Sequence, residues 1–285
     1  MSQKMSATTI VNIGAAGIAL ALVGYGLVTT FVLDGPAPGC MANYARTATF
    51  DLTSSNGGPL SLIELQARAG NGERNIVENA RIVPVSDGPA PAALEIKLGL
   101  PERATGSDAT GVLFKWWPMA GDRASAACLR YSVYMPDDFD FATGGSLPGL
   151  IGGDVARQGS DAKSGFEFST RWQHGGTVGF VLKAPEVQPH GPTRFDNFVT
   201  TLPRGRWISM EQGSQRDQPG ANDGVLRVWL DGRLVVNQNA LDFRKDGDLS
   251  IDGVHANVGF VVGPRKLPQG QAGTLMLSPI ELAWK

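Results

Sequence analysis

Short runs of alternating apolar and polar residues recur along this chain of 285 residues. Each is bounded by Gly, Asn, Asp or Pro, and no sustained helical period replaces them. A period of two sends successive side chains to opposite faces of a strand, so one face can join a core while the other meets solvent or a ligand. The runs are 47–52, 79–85, 93–98, 112–116, 128–135, 166–173, 177–183, 197–202, 207–212, 225–230, 234–236, 255–262 and 274–284. The runs 225–230 and 234–236 flank Asp231-Gly232, a dipeptide suited to the positive φ angles of a two-residue hairpin turn. Only 60–69 has helical character. The expectation is an all-β protein, a jelly-roll β-sandwich of two stacked antiparallel sheets with a concanavalin-like outline.

The stretch from Tyr131 to Gly153 carries further information. It joins an alternating strand to the aromatic turn Met135-Pro-Asp-Asp-Phe-Asp-Phe141 and the corner Gly144-Gly-Ser-Leu-Pro-Gly-Leu150. The 37 Gly and 18 Pro follow no collagen period, which suits many tight turns, and a 42% hydrophobic content suffices for one sizeable core. A formal charge of -2 at pH 7 gives no basic surface overall, so nucleic acid is not an expected partner.

Ile10 to Leu33 contains no charged residue, and at about 1.5 Å per residue the run is long enough for a bilayer core. It reads as one N-terminal transmembrane helix, with Lys4 keeping the N-terminus cytoplasmic and the remainder periplasmic or extracellular. A cleaved signal peptide is the competing reading. The expected organisation is an anchor over 1–33, a stiff Pro-containing linker over 34–43 and one domain over 44–285. In an oxidising compartment the two cysteines, Cys40 and Cys128, are expected to pair, two separate thiols being the alternative.

Phe166-Glu-Phe-Ser-Thr-Arg-Trp172 alternates strictly, so Glu167, Ser169 and Arg171 share one face. Arg171 suits a carboxylate, which it can grip with two parallel hydrogen bonds, and Ser169 can bond the same sugar. On the next run Lys183 can reach that row, to bind an anionic sugar or to act as a base. The bland alternative is a solvated face with a Glu167–Arg171 ion pair. Trp116 and Trp117 point to opposite faces if extended, leaving Trp117 as a sugar-stacking platform, while Trp172 and Trp229 fall on apolar faces. The Asp-Gly clusters at 246–253 and the acidic group at 137–140 read as turns, and scattered His and Cys give no zinc pattern, so neither a metal nor a cofactor is expected.

From about Ala127 to Val236 the motifs resemble polysaccharide lyase family 14, the alginate and glucuronan-type lyases with a jelly-roll fold. The resemblance rests on Tyr131–Phe141, Gly144–Leu150, Phe168-Ser-Thr-Arg171, Arg206-Trp207 with Gln212, and Pro219–Gly232. It implies β-elimination at a uronate: the carboxylate is neutralised, a base removes the C5 proton and an acid assists departure of the C4 oxygen. Ser169 and Arg171 match family active-site positions, with Gln212 and Arg206 bordering the groove. The family's corner lysine is Ser146 here, and its two strand tyrosines fall at Val181 and Lys183. No tyrosine follows Tyr134. Lys183 and His174 are therefore the expected catalytic residues, with His190 as a further substitute. The functional expectation is a membrane-anchored protein acting on an acidic polysaccharide. A noncatalytic glycan-binding accessory of exopolysaccharide synthesis or export machinery is the alternative.

Overall fold

The computed structural model describes residues 39–70, 72–99, 110–141, 144–154, 164–187, 191–245, 248–261 and 273–285, with backbone alone for 196–199. The expected anchor over 10–33, the first part of the linker and His190 lie outside the described residues. Among those described, no helix is long and apolar enough to cross a membrane.

Two antiparallel sheets form a sandwich consistent with the expected jelly roll. The strands are β1 (Arg46–Phe50), β2 (Ala80–Pro84), β3 (Ala92–Leu98), β4 (Val112–Trp116), β5 (Ala126–Tyr134), β6 (Gly145–Gly152), β7 (Phe166–Trp172), β8 (Thr177–Lys183), β9 (Thr193–Thr201), β10 (Trp207–Gln215), β11 (Gly224–Leu230), β12 (Arg233–Leu241), β13 (Ile251–Phe260), β14 (Gly273–Leu277) and β15 (Ile280–Trp284). One sheet runs β12-β11-β10-β5-β14-β3-β2, with β15 also on β5 and β1 on β15. The other runs β4-β13-β6-β7-β8-β9. The single run expected over 274–284 is two strands, because the chain breaks at Ser278-Pro279 and proline cannot donate to a ladder.

Alternation decides which side chains fill the space between the sheets. From β7, Phe168 packs on Phe180 of β8, Trp172 on Phe260 of β13 and Phe166 on Phe243, all buried. Burying each such ring contributes about 2–3 kcal/mol. The turn between β11 and β12 is the expected one, Asp231 at φ 48° and Gly232 at φ 74°. The expected helix spans Leu62–Ala69 (α1), started by a capping box in which Ser61 and Glu64 satisfy each other's backbone N–H.

The glycine-rich corner is a strand rather than a turn. All eight residues of β6 are buried, and Pro148 sits at a register shift between Leu147 and Gly149, where a missing N–H costs no ladder bond. The Pro148 carbonyl points into the core and accepts hydrogen bonds from the Tyr131 hydroxyl (3.1 Å) and Gln212 Nε2 (3.0 Å). Gln212 Nε2 also donates to Thr170 Oγ1 at 2.6 Å, tying β10, β6 and β7 together through the core. Burial pushes the Tyr131 phenol well above its ordinary range, against smaller opposing contributions from Thr170 and Gln212.

Cys40 and Cys128 form a disulfide with Cα atoms 5.6 Å apart. It lies on the outer face of the nine-stranded sheet against Trp229, with Met41, Tyr44 and Leu234 packed around it. Trp229 thus belongs to this outer cluster, whereas Trp172 joins the main core as expected.

Candidate functional site

The outer face of the six-stranded sheet gathers the ionisable side chains. Register places Lys115 of β4 opposite His255 of β13, His255 opposite Gly149 of β6, and Gly149 opposite Ser169 of β7. Ser169 faces Val181 of β8, which faces Arg194 of β9, while Glu167 faces Lys183. Lys115, His255, Glu167, Arg171, Lys183 and Arg194 therefore lie across one sheet face. Ser169, Arg171 and Lys183 share this face, with Lys183 opposite Glu167 and Arg171 opposite Gly179.

Glu167 and His255 meet over β6. His255 Nδ1 lies 3.1 Å from Glu167 Oε1, although two strand spacings of about 4.8 Å each separate their backbones. Ile151 lies opposite Glu167, whereas Gly149 lies opposite His255 on β6 and adds no side chain there. A Cβ there would collide with the Phe168 carbonyl and the Ser169 backbone. The Glu167 and His255 side chains are only 17% and 15% exposed although they face away from the core. His255 Nε2 is buried and has no hydrogen-bond partner among the described residues. Such an orphan costs about 1–3 kcal/mol.

Burial alone would raise the Glu167 carboxyl, but the hydrogen bond from His255 and the charges of His255, Arg171 and Lys183 outweigh it and hold the group below its ordinary value. Desolvation lowers Lys115, with Glu167 opposing, and Lys115 Nζ lies 5.7 Å from the Trp117 ring centroid. Desolvation also lowers Arg171, Glu167 opposing and Arg194 adding to it. Arg171 makes no salt bridge among the described residues, so the sealed Glu167–Arg171 pair does not form, and its partly buried guanidinium remains available to an anion.

Ser169, 3% exposed, sits in the row as expected, and partly buried Trp117 follows β4 at its border. His174 instead occupies an exposed turn between β7 and β8, because strand alternation ends at Trp172. Two expected groove residues are elsewhere. Gln212 is fully buried between the sheets in the Pro148–Thr170 network, with Ile208 and Met210 on the same side of β10, so it cannot border a sugar. Arg206 is exposed at the start of β10 in the other sheet, paired at 2.7 Å with Asp231 of the β11–β12 turn. Ser146, at the corner position, is 1% exposed and its hydroxyl has no hydrogen-bond partner among the described residues.

His255 is the site residue that the sequence reading missed. A signal was present: it alternates with residues that enter the core, Val254 and Ala256 on either side. Among the described residues one cluster elsewhere has metal-ligand spacing, Cys40, Cys128 and Glu211, but its sulfurs are bonded to each other and offer no thiolate. A cavity of about 300 Å³ opens on the outer face of the nine-stranded sheet, lined by Arg130, Ser132, Ser209, Ser278 and Glu281 among others, away from the ionisable row.

Fold and face together define a two-sheet β-sandwich with a row of charged side chains on one sheet. Similar solved structures share the β-sandwich fold. The marine PL-14 alginate lyase of Aplysia kurodai superposes with a TM-score of 0.66 at 17% identity, covering 85% of this chain and 99% of that one. Alginate lyase vAL-1 from Chlorella virus gives 0.61 at 20% identity, covering 78% and 97%. The endo-beta-1,4-glucuronan lyase of the fungus Trichoderma reesei gives 0.53 at 13%, covering 85% and 96%. No curated protein matches the chain by sequence. The family model Polysaccharide lyase 14 matches residues 92–261, well over half of the chain, and the protein belongs to that family.

Proposed function

We propose that the ionisable face binds a uronate polymer and cleaves it by β-elimination. The observation that carries this reading is Arg171, a cation on the outer sheet face with no salt bridge among the described residues, beside Ser169. A carboxylate is the anion its planar fork fits best. Lys115, Lys183 and Arg194 add positive potential along the same face, which suits a polyanion and the negative charge that develops when the C5 proton leaves. Trp117, beside Lys115, supplies an apolar platform for a sugar ring. Membership of a lyase family and the alginate and glucuronan lyases among the structural neighbours support the substrate class.

A noncatalytic, glycan-binding role in polymer synthesis or export is the second reading. Ser146 and Val181 favour it, since neither provides a cation or a phenol at positions where the family resemblance calls for lysine and tyrosine. We place the domain outside the cytoplasmic membrane, tethered through 10–33. The uncharged run and the Cys40–Cys128 disulfide support this placement. Incubating the purified full chain with alginate and glucuronan, and following the ultraviolet absorbance of the unsaturated product, tests the lyase reading. Binding without any rise in absorbance points to the accessory role. Absence of binding to every uronate polymer sinks both.

A further inference from the structure

We propose that His255 is the proton acceptor of this face, with Glu167 as the residue that positions it. The inference rests on the uronate reading and deepens it by naming the base. It starts from the row Lys115, His255, Glu167, Arg171, Lys183 and Arg194. Removing a proton from carbon requires a lone pair at working pH. Arginine offers none, lysine must first lose a proton, and the Glu167 carboxylate already faces His255 Nδ1. An imidazole can supply the pair directly.

The geometry also assigns the tautomer. With Nδ1 3.1 Å from a carboxylate oxygen, the ring proton belongs on Nδ1 and the lone pair on Nε2. Orienting a base by a buried carboxylate on its far nitrogen is the arrangement that raises its basicity in the transition state and stabilises the resulting cation. Nε2 is the atom left without a partner among the described residues. A histidine with a purely architectural role would use both nitrogens. In the resting protein Nε2 is shielded, and the side chain as a whole keeps 15% exposure. Sugar entry therefore has to displace a covering side chain before Nε2 meets the C5 hydrogen, with Glu167 holding the ring in place.

The step balances without a co-reactant. Nε2 takes the C5 proton, and the carbon–hydrogen electron pair becomes the C4–C5 double bond. The C4–O bond breaks with its pair on the departing oxygen, which takes a proton from the imidazolium or from water. Arg171 faces the charge on the sugar carboxylate, and Glu167 that on the ring.

The test uses the full chain, short oligouronates of alginate and glucuronan, and D2O. Three quantities are read: deuterium incorporation at C5, unsaturated product, and affinity by calorimetry. H255Q is expected to lose exchange and product by about 100- to 10,000-fold with affinity within about threefold of the parent protein. E167Q keeps affinity but loses part of the rate, and imidazole added to H255A restores part of the lost rate. Unchanged exchange and turnover in folded H255Q, or a folded H255A that gains nothing from imidazole, overturns the base assignment while leaving the lyase reading intact. A parent protein that binds oligouronates without exchange or cleavage overturns His255 as a base and leaves only polymer binding. A parent protein that binds none removes the uronate reading itself.

Discussion

The carboxylate of Glu167 on β7 reaches over the glycine strand β6 to His255 on β13, a 3.1 Å contact between residues 88 positions apart. Two ionisable groups that are mostly withdrawn from water thus meet, and the titration of Glu167 is linked to the stability of the sheet.

Glu167 titrates below its ordinary value of 4.5 in the folded protein. A depressed carboxyl contributes stability above the unfolded value and loses it as pH falls through the folded value. The stability difference between the parent protein and E167Q is therefore expected to shrink from about pH 4.5 downward, as measured by urea unfolding across pH. A difference that stays constant below that pH contradicts the assignment.

Arg171 has no salt bridge to lose among the described residues, so its removal is expected to affect ligand binding more than folding. R171K keeps the charge and discards the paired hydrogen bonds, which are worth about 1.5–3 kcal/mol to a charged partner. Calorimetry with an oligouronate should show an affinity loss of roughly 10- to 100-fold. The thermal midpoint should move little.

Gln212 gives the reverse result. Q212A strips the Pro148 carbonyl and the Thr170 hydroxyl of a donor and opens a void between the sheets. The expected loss is about 2–4 kcal/mol of stability by denaturant unfolding, with oligouronate affinity retained. A stable variant with impaired binding would put the side chain in the ligand site after all.

The Cys40–Cys128 disulfide closes a loop with a sequence separation of 88. In the chain-entropy treatment its loss costs about 4–5 kcal/mol. C128A or reduction should lower the urea midpoint accordingly. Oligouronate affinity should persist, because the disulfide lies on the other sheet.

Most strands were legible because their alternation is local. Phe166–Trp172 separates its polar row from its core row on sequence alone, and Asp231-Gly232 announces its hairpin. β6 was not legible, since three glycines and a proline in Gly145–Gly152 argue against a strand. The structure supplies the reason for two of them. The Trp172 ring occupies the space over Gly145, and the β7 backbone crowds Gly149. The site divides in the same way. Ser169, Arg171 and Lys183 follow from neighbouring alternation, whereas the Glu167–His255 contact depends on β6 lying between β7 and β13, an order no local pattern encodes. Gln212 was misplaced despite a usable signal, because Ile208, Met210 and Gln212 share one parity on β10.

The disulfide also decides where tension would travel. Cys128 belongs to β5, the central strand of the seven-strand path through the larger sheet. Any pull transmitted from upstream of Gly39 would reach that strand through a covalent shortcut. From β5 the Tyr131 hydroxyl, bonded to the Pro148 carbonyl, would pass part of that load to β6 in the sheet that carries Arg171 and His255.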